Sequence, residues 1–140
     1  MQKNNPLKLI IDTKLWISFI ISNKPTLIDP LLFSGEARLL FSKELIAEIA
    51  QTITKPKLKK YFSTNALKEM LLAFEPFTDL IEVKSAVTHC RDNKDNFLLA
   101  LAKDGKADYL LTGDKDLLEL KSFGKTKIKT IVLFIEEINN

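Results

Sequence analysis

Two short apolar runs end in acids, and that pairing constrains the fold more than any other feature of the chain. LKLII (7–11) runs into Asp12, and ADYLL (107–111) runs into TGDKDLLEL (112–120), which carries Asp114 and Asp116. Both runs are short and apolar enough to be buried strands. Between them, strand-like and helix-like segments alternate. TKLWISFIIS (13–22) reads as a helix, and a short helix is expected from near Thr26 through LLF. ARLLFS (37–42) reads as a second strand. Ser42 is a good N-cap for KELIAEIAQTI (43–53), whose Leu45, Ile46, Ile49, Ala50 and Ile53 share one helical face. PKLKKYF is expected as a short helix after Pro56, and NALKEMLLAF (65–74) as another, capped by Ser63 or Thr64. DLIEVK (79–84) reads as a strand, DNFLLALAKDG (95–105) as a helix stopped by Gly105, DKDLLEL as a short helix, and KTIVLF (129–134) as a last strand.

This alternation predicts one α/β domain over residues 1–140, with a mainly parallel sheet and helices on both faces. In such a sheet the carboxyl ends of the strands share one edge, and ligands bind there where the strand order switches. Asp12 and Asp114 both follow strands, so they converge if those strands are neighbours. Asp95 opens a helix that should start on the same edge, as should the helix carrying Glu44 and Glu48.

Four carboxylates in one cleft repel each other. At about 4 Å and an effective dielectric near 20, each like-charged pair costs roughly 4 kcal/mol. A cation, a protonated acid or a neighbouring lysine must offset that. An oxygen-only donor set selects Mg²⁺ or Mn²⁺ over zinc. The chain has one Cys (Cys90) and one His (His89), so an internal disulfide and a Cys/His zinc cluster are both excluded. His89 reads as a loop residue and Cys90 as a small hydrophobe. No apolar stretch approaches the roughly 20 residues of a membrane helix, and MQKNNP does not open a signal peptide. A cytoplasmic protein with no membrane partner is expected. The net charge of +3 is mild, but KPKLKK (55–60) holds four lysines and KSFGKTKIK (121–129) four more. Lys55, Lys57, Lys59 and Lys60 are candidate contacts to phosphates, against the plainer reading of a solvated lysine surface.

In order, IIDT, SKELIAEI (42–49), RDNKDNFLLALA (91–102) and ADYLLTGDKDLL (107–118) resemble a PIN domain over roughly residues 7 to 135. The chain is most similar to the branch of toxin components of toxin–antitoxin pairs, in which a basic segment like KPKLKKYF is also common. The resemblance implies a three-layer α/β/α fold and a ribonuclease using Mg²⁺ or Mn²⁺. It implies Asp12, Glu48, Asp95 and Asp114 as catalytic metal ligands, with Thr13 and Asp116 supporting them and Asp92 supporting the loop before Asp95. An antitoxin partner and a homodimer follow from the resemblance alone. Each assignment has a plainer competitor: Asp12 and Asp114 as helix caps, Asp95 as a helix-dipole partner, and Glu48 and Glu44 as surface acids. Trp16 and Phe19 are expected in the core or at an interface.

The chain departs from the family after Asp12-Thr13, where Lys14 replaces the usual Asn. Lys14 either pairs with the acids and fills the metal's place or reaches out to a substrate phosphate. The first outcome defines the alternative function, a catalytically impaired PIN fold that binds RNA or protein. A phosphatase of the haloacid-dehalogenase type is disfavoured, because Asp12-Thr13-Lys14 lacks the second Asp of that motif.

Overall fold

The computed structural model describes residues 5–22, 24–88 and 95–140. Asp92, His89 and Cys90 lie outside them. Five strands of one six-stranded sheet run parallel: β1 (Leu7–Ile11), β2 (Ala37–Phe41), β3 (Thr78–Leu80), β4 (Tyr109–Leu111) and β6 (Thr126–Lys129). The short β5 (Ser122–Phe123) pairs antiparallel to β6, and Gly124 in the intervening turn takes a positive φ of 59°. The order is β3-β2-β1-β4-β6-β5. β1 therefore sits between β2 and β4, and the chain's direction of travel across the sheet reverses there. Leu9, Ile10 and Ile11 are consecutive and all buried, as are Leu39, Leu40 and Phe41 on β2. Strands buried on both faces need helices on both faces, and the fold is the mixed α/β, three-layer arrangement read from the alternation.

The helices are α1 (Thr13–Ser22), α2 (Asp29–Ser34), α3 (Lys43–Ile53), α4 (Pro56–Lys59), α5 (Ala66–Phe74), α6 (Asn96–Gly105), α7 (Lys115–Leu120) and α8 (Ile131–Ile138). Trp16 on α1 is buried and stacks on Phe41 at 5.1 Å, with Phe74 edge-on at 5.1 Å and Phe19 at 5.8 Å. It is a core residue. No helix among the described residues is long and apolar enough to cross a membrane.

Several local expectations are corrected. KTIVLF is not a strand: β6 ends at Lys129, and Thr130 caps α8 by accepting a hydrogen bond from the Leu133 amide at 3.2 Å. Its β-branched run looks extended, but Ile131, Phe134, Ile135 and Ile138 fall at helical spacing. α6 ends at Gly105 as expected, but Gly105 is not the left-handed residue of its stop. Lys106 takes the left-handed turn at φ 54°, and a Cβ on Gly105 would lie 2.7 Å from Leu40 Cδ1, so its role is close helix–strand packing. α2 starts at Asp29 rather than near Thr26, and the two side chains bond at 2.7 Å. Asn65, not Ser63 or Thr64, precedes α5. DLIEVK pairs only as far as Leu80, with one further bond from the Ile81 amide to the Phe41 carbonyl at 2.7 Å. Beyond it the Lys84 and Ser85 amides turn to the Asp104 carboxylate instead of a neighbouring strand.

Candidate functional site

β1 and β4 pair with Ile11 opposite Leu111, so the residues that follow them meet. The Asp12 amide donates to the Leu111 carbonyl at 3.1 Å. The Thr112 hydroxyl donates to Asp12 Oδ2 and accepts from the Asp114 amide at 3.0 Å. One buried hydroxyl thus ties the two strand-end acids together. Asp12 Oδ1 accepts from the Leu15 amide at 2.9 Å, which also caps α1. Asp114 caps α7, its Oδ1 accepting from the Asp116 amide at 2.8 Å. The capping roles and the shared location therefore coexist.

Asp12 is only 5 % exposed, and that burial raises its carboxyl above the usual range. The bonds from Thr112 and Leu15 oppose the shift, Asp114 adds to it, and Lys14 pulls it down slightly. Burial and the second acid thus both disfavour the charged form of Asp12, and Lys14 offsets them only in part.

Asp12, Glu48, Asp95 and Asp114 line one cavity of about 230 Å³, together with Thr13, Lys14, Thr52, Lys55, Phe97 and Leu98. They come from four separate stretches of chain. Glu48 and Glu44 lie one turn apart on α3, but only Glu48 lines the cavity; Glu44 is half-buried, with a buried Oε1 that has no hydrogen-bond partner among the described residues. Asp116 is exposed and does not line it. Lys14 and Lys55 also line the cavity, while Lys57, Lys59 and Lys60 are exposed on and after α4. Thr52, Phe97, Leu98 and Thr112 went unread in the sequence. Thr52 follows Glu48 by one helical turn, its hydroxyl donating to the Glu48 carbonyl at 2.7 Å. Thr112 was visible as the Thr of TGD, but its partner lies 100 residues away.

The donors fit a hard divalent cation in kind, being carboxylate oxygens with no Cys or His among the lining residues. Thr13 adds a buried hydroxyl with no hydrogen-bond partner among the described residues. In spacing the fit is incomplete. Among the described residues, no three Asp, Glu, His or Cys side chains lie close enough together to hold a metal ion.

A mostly parallel α/β sheet carries these acids at its switch point, and comparison with known proteins assigns the class. The PIN domain family model matches residues 8–116, and the chain belongs to that family. Its members are typically divalent-metal-dependent nucleases. The chain is also similar to an uncharacterized protein of Methanocaldococcus jannaschii, at 32% identity over 142 positions, covering 94% of this chain and 91% of the relative.

Proposed function

We propose that this chain is a metal-dependent endoribonuclease that hydrolyses RNA phosphodiester bonds, and that it is the toxin of a toxin–antitoxin pair. One observation carries the enzymatic reading: four carboxylates from four chain segments line a single cavity, one of them buried and pushed toward protonation. Asp12, Glu48, Asp95 and Asp114 would hold Mg²⁺ or Mn²⁺, which when bound activates a water and stabilises the leaving oxygen. Thr112 fixes Asp12 against Asp114, so those two donors are oriented before substrate arrives. Lys14 and Lys55 bind phosphate oxygens of the RNA at the cavity wall. Phe97 and Leu98 restrict water there. Lys57, Lys59 and Lys60 extend the contact to the backbone beyond. The toxin assignment, the small antitoxin and a homodimer rest on the resemblance of the sequence motifs.

The test is cleavage of RNA by the purified chain in Mn²⁺ or Mg²⁺. Loss of cleavage in Asp95→Asn and in EDTA is expected; cleavage that survives both overturns the mechanism. A second reading has its own observation. Lys14 and Lys55 share the cavity with acids that are not clustered for a metal. In that reading the fold binds RNA or protein without catalysis. Calorimetry separates the two, since this reading expects no Mn²⁺ binding at millimolar levels with RNA binding retained.

A further inference from the structure

Outside the acidic cavity, a larger open groove of about 760 Å³ lies along α5, floored by apolar side chains that include Phe19, Phe62, Met70 and Phe74. Tyr61 lines it and is 56 % exposed, a large fraction for an aromatic ring beside a concave surface. Lys60 Nζ sits 5.2 Å from the centre of that ring. The groove is continuous in chain with the acidic cavity. Lys55 lines the cavity, the single turn of α4 follows, and Tyr61 stands at the groove six residues later. The two concave surfaces are therefore neighbours along the chain, joined by one basic turn.

We infer that this groove is a nucleotide subsite of the RNA site, in which an unpaired base neighbouring the scissile phosphate stacks on Tyr61. The inference rests on the ribonuclease reading for its substrate class. Charge assigns the parts of the RNA. Lys55, Lys57, Lys59 and Lys60 are exposed along the connecting turn and match a phosphate backbone. Glu69 and Asp29 line the groove beside a cation, Lys24, so the groove is acidic on balance and disfavours phosphate, while Glu69 can accept from the amino and imino groups of a base. The backbone therefore follows the lysines while the base turns into the groove. The base stacks on the ring face that Lys60 does not cover, and the Lys60 cation supports the same ring. Stacking tolerates any base, and it requires that the base be unpaired.

The test is fluorescence anisotropy with a labelled single-stranded RNA of mixed sequence. It uses the full chain in Mn²⁺ and an Asp95→Asn background, so that RNA is not consumed. Tyr61→Ala is expected to weaken binding about tenfold, the effect of losing one base–aromatic stack, and Tyr61→Phe to leave it within about twofold. An RNA duplex of the same sequence is expected to bind more weakly than the single strand. Equal binding by Tyr61→Ala, or equal affinity for duplex and single strand, overturns the subsite; a groove built for a protein helix gives the first of these. Cleavage by the otherwise wild-type chain is scored separately. Absent cleavage with a Tyr61-dependent affinity defeats the nuclease reading and leaves the subsite standing. Cleavage with a Tyr61-independent affinity does the reverse.

Discussion

Two carboxylates flanking the same part of the sheet have opposite environments. Asp12, at the carboxyl end of β1, is buried, neighbours another acid, and has its carboxyl raised. Glu137, on α8, accepts a hydrogen bond from Tyr109 and ion pairs from Lys129 at 3.0 Å and Lys127 at 3.3 Å, and its carboxyl is lowered to about 2. Tyr109 responds in the opposite direction. Its burial and the Glu137 bond push the phenol up to about 12. The Glu137 carboxylate is fully partnered, by Tyr109 and by two lysines, and it ties α8 to β4 and β6. Asp12 has hydrogen-bond donors from Thr112 and Leu15 but, among the described residues, no ion pair comparable to those of Glu137. An uncompensated buried acid is a cost to the fold, and sites that keep one are where chemistry is expected.

The largest expected effect is at the Asp12 cluster. Asp12→Asn or Asp95→Asn should lower RNA cleavage in Mn²⁺ by about a hundredfold or more, since several kcal/mol of charge stabilisation depend on the cation. A single-turnover cleavage assay reads this, and near-normal rates would remove both residues from the site. Thr112→Val keeps the shape but removes the bridging hydroxyl. Mn²⁺ affinity is then expected to fall by about 10- to 100-fold, and unfolding free energy by about 1–3 kcal/mol because the buried Asp12 carboxylate loses a donor and the part-buried Asp114 amide its acceptor. Calorimetry and urea titration check the two separately.

Gly105→Ala probes packing alone. The new methyl meets Leu40, and a loss of about 1–2 kcal/mol in urea denaturation is expected with metal binding unchanged. Lys14→Asn should tighten Mn²⁺ binding only modestly if the exposed ammonium points to substrate. If binding appears only in that variant, Lys14 fills the metal's place and the non-catalytic reading gains. The smallest effect is at the Glu137 cluster. Glu137 has a folded value of about 2 against an ordinary 4.5, so its stabilisation is present above 4.5 and is lost as pH falls toward 2. Denaturation midpoints of wild type and Glu137→Gln should therefore differ at neutral pH and converge in acid. A constant gap down to pH 2 would show that the carboxylate's charge is not what matters there.

The alternation of elements was legible because each depends on local patterning. LKLII and ARLLF are short apolar runs bounded by polar residues and fold as strands, and Ser42 caps α3 through the bond to Leu45 that its position implies. The error at α8 has the same origin. Ile and Val after Thr130 carry both a strand-like composition and a helical spacing, and local propensity does not rank the two. Nor did spacing separate Glu48 from Glu44, which lie one turn apart on the same helix.

By itself, then, the sequence determined that acids follow two buried strands and open or ride helices expected at one sheet edge, because strand burial and helix capping are short-range effects. Only the tertiary structure decided that β1 lies against β4. That pairing is fixed by the burial of both faces of the sheet, which no local segment encodes. It brings Thr112 onto Asp12 across 100 residues, selects Glu48 over Glu44 for the cavity, and leaves Tyr61 open beside a groove.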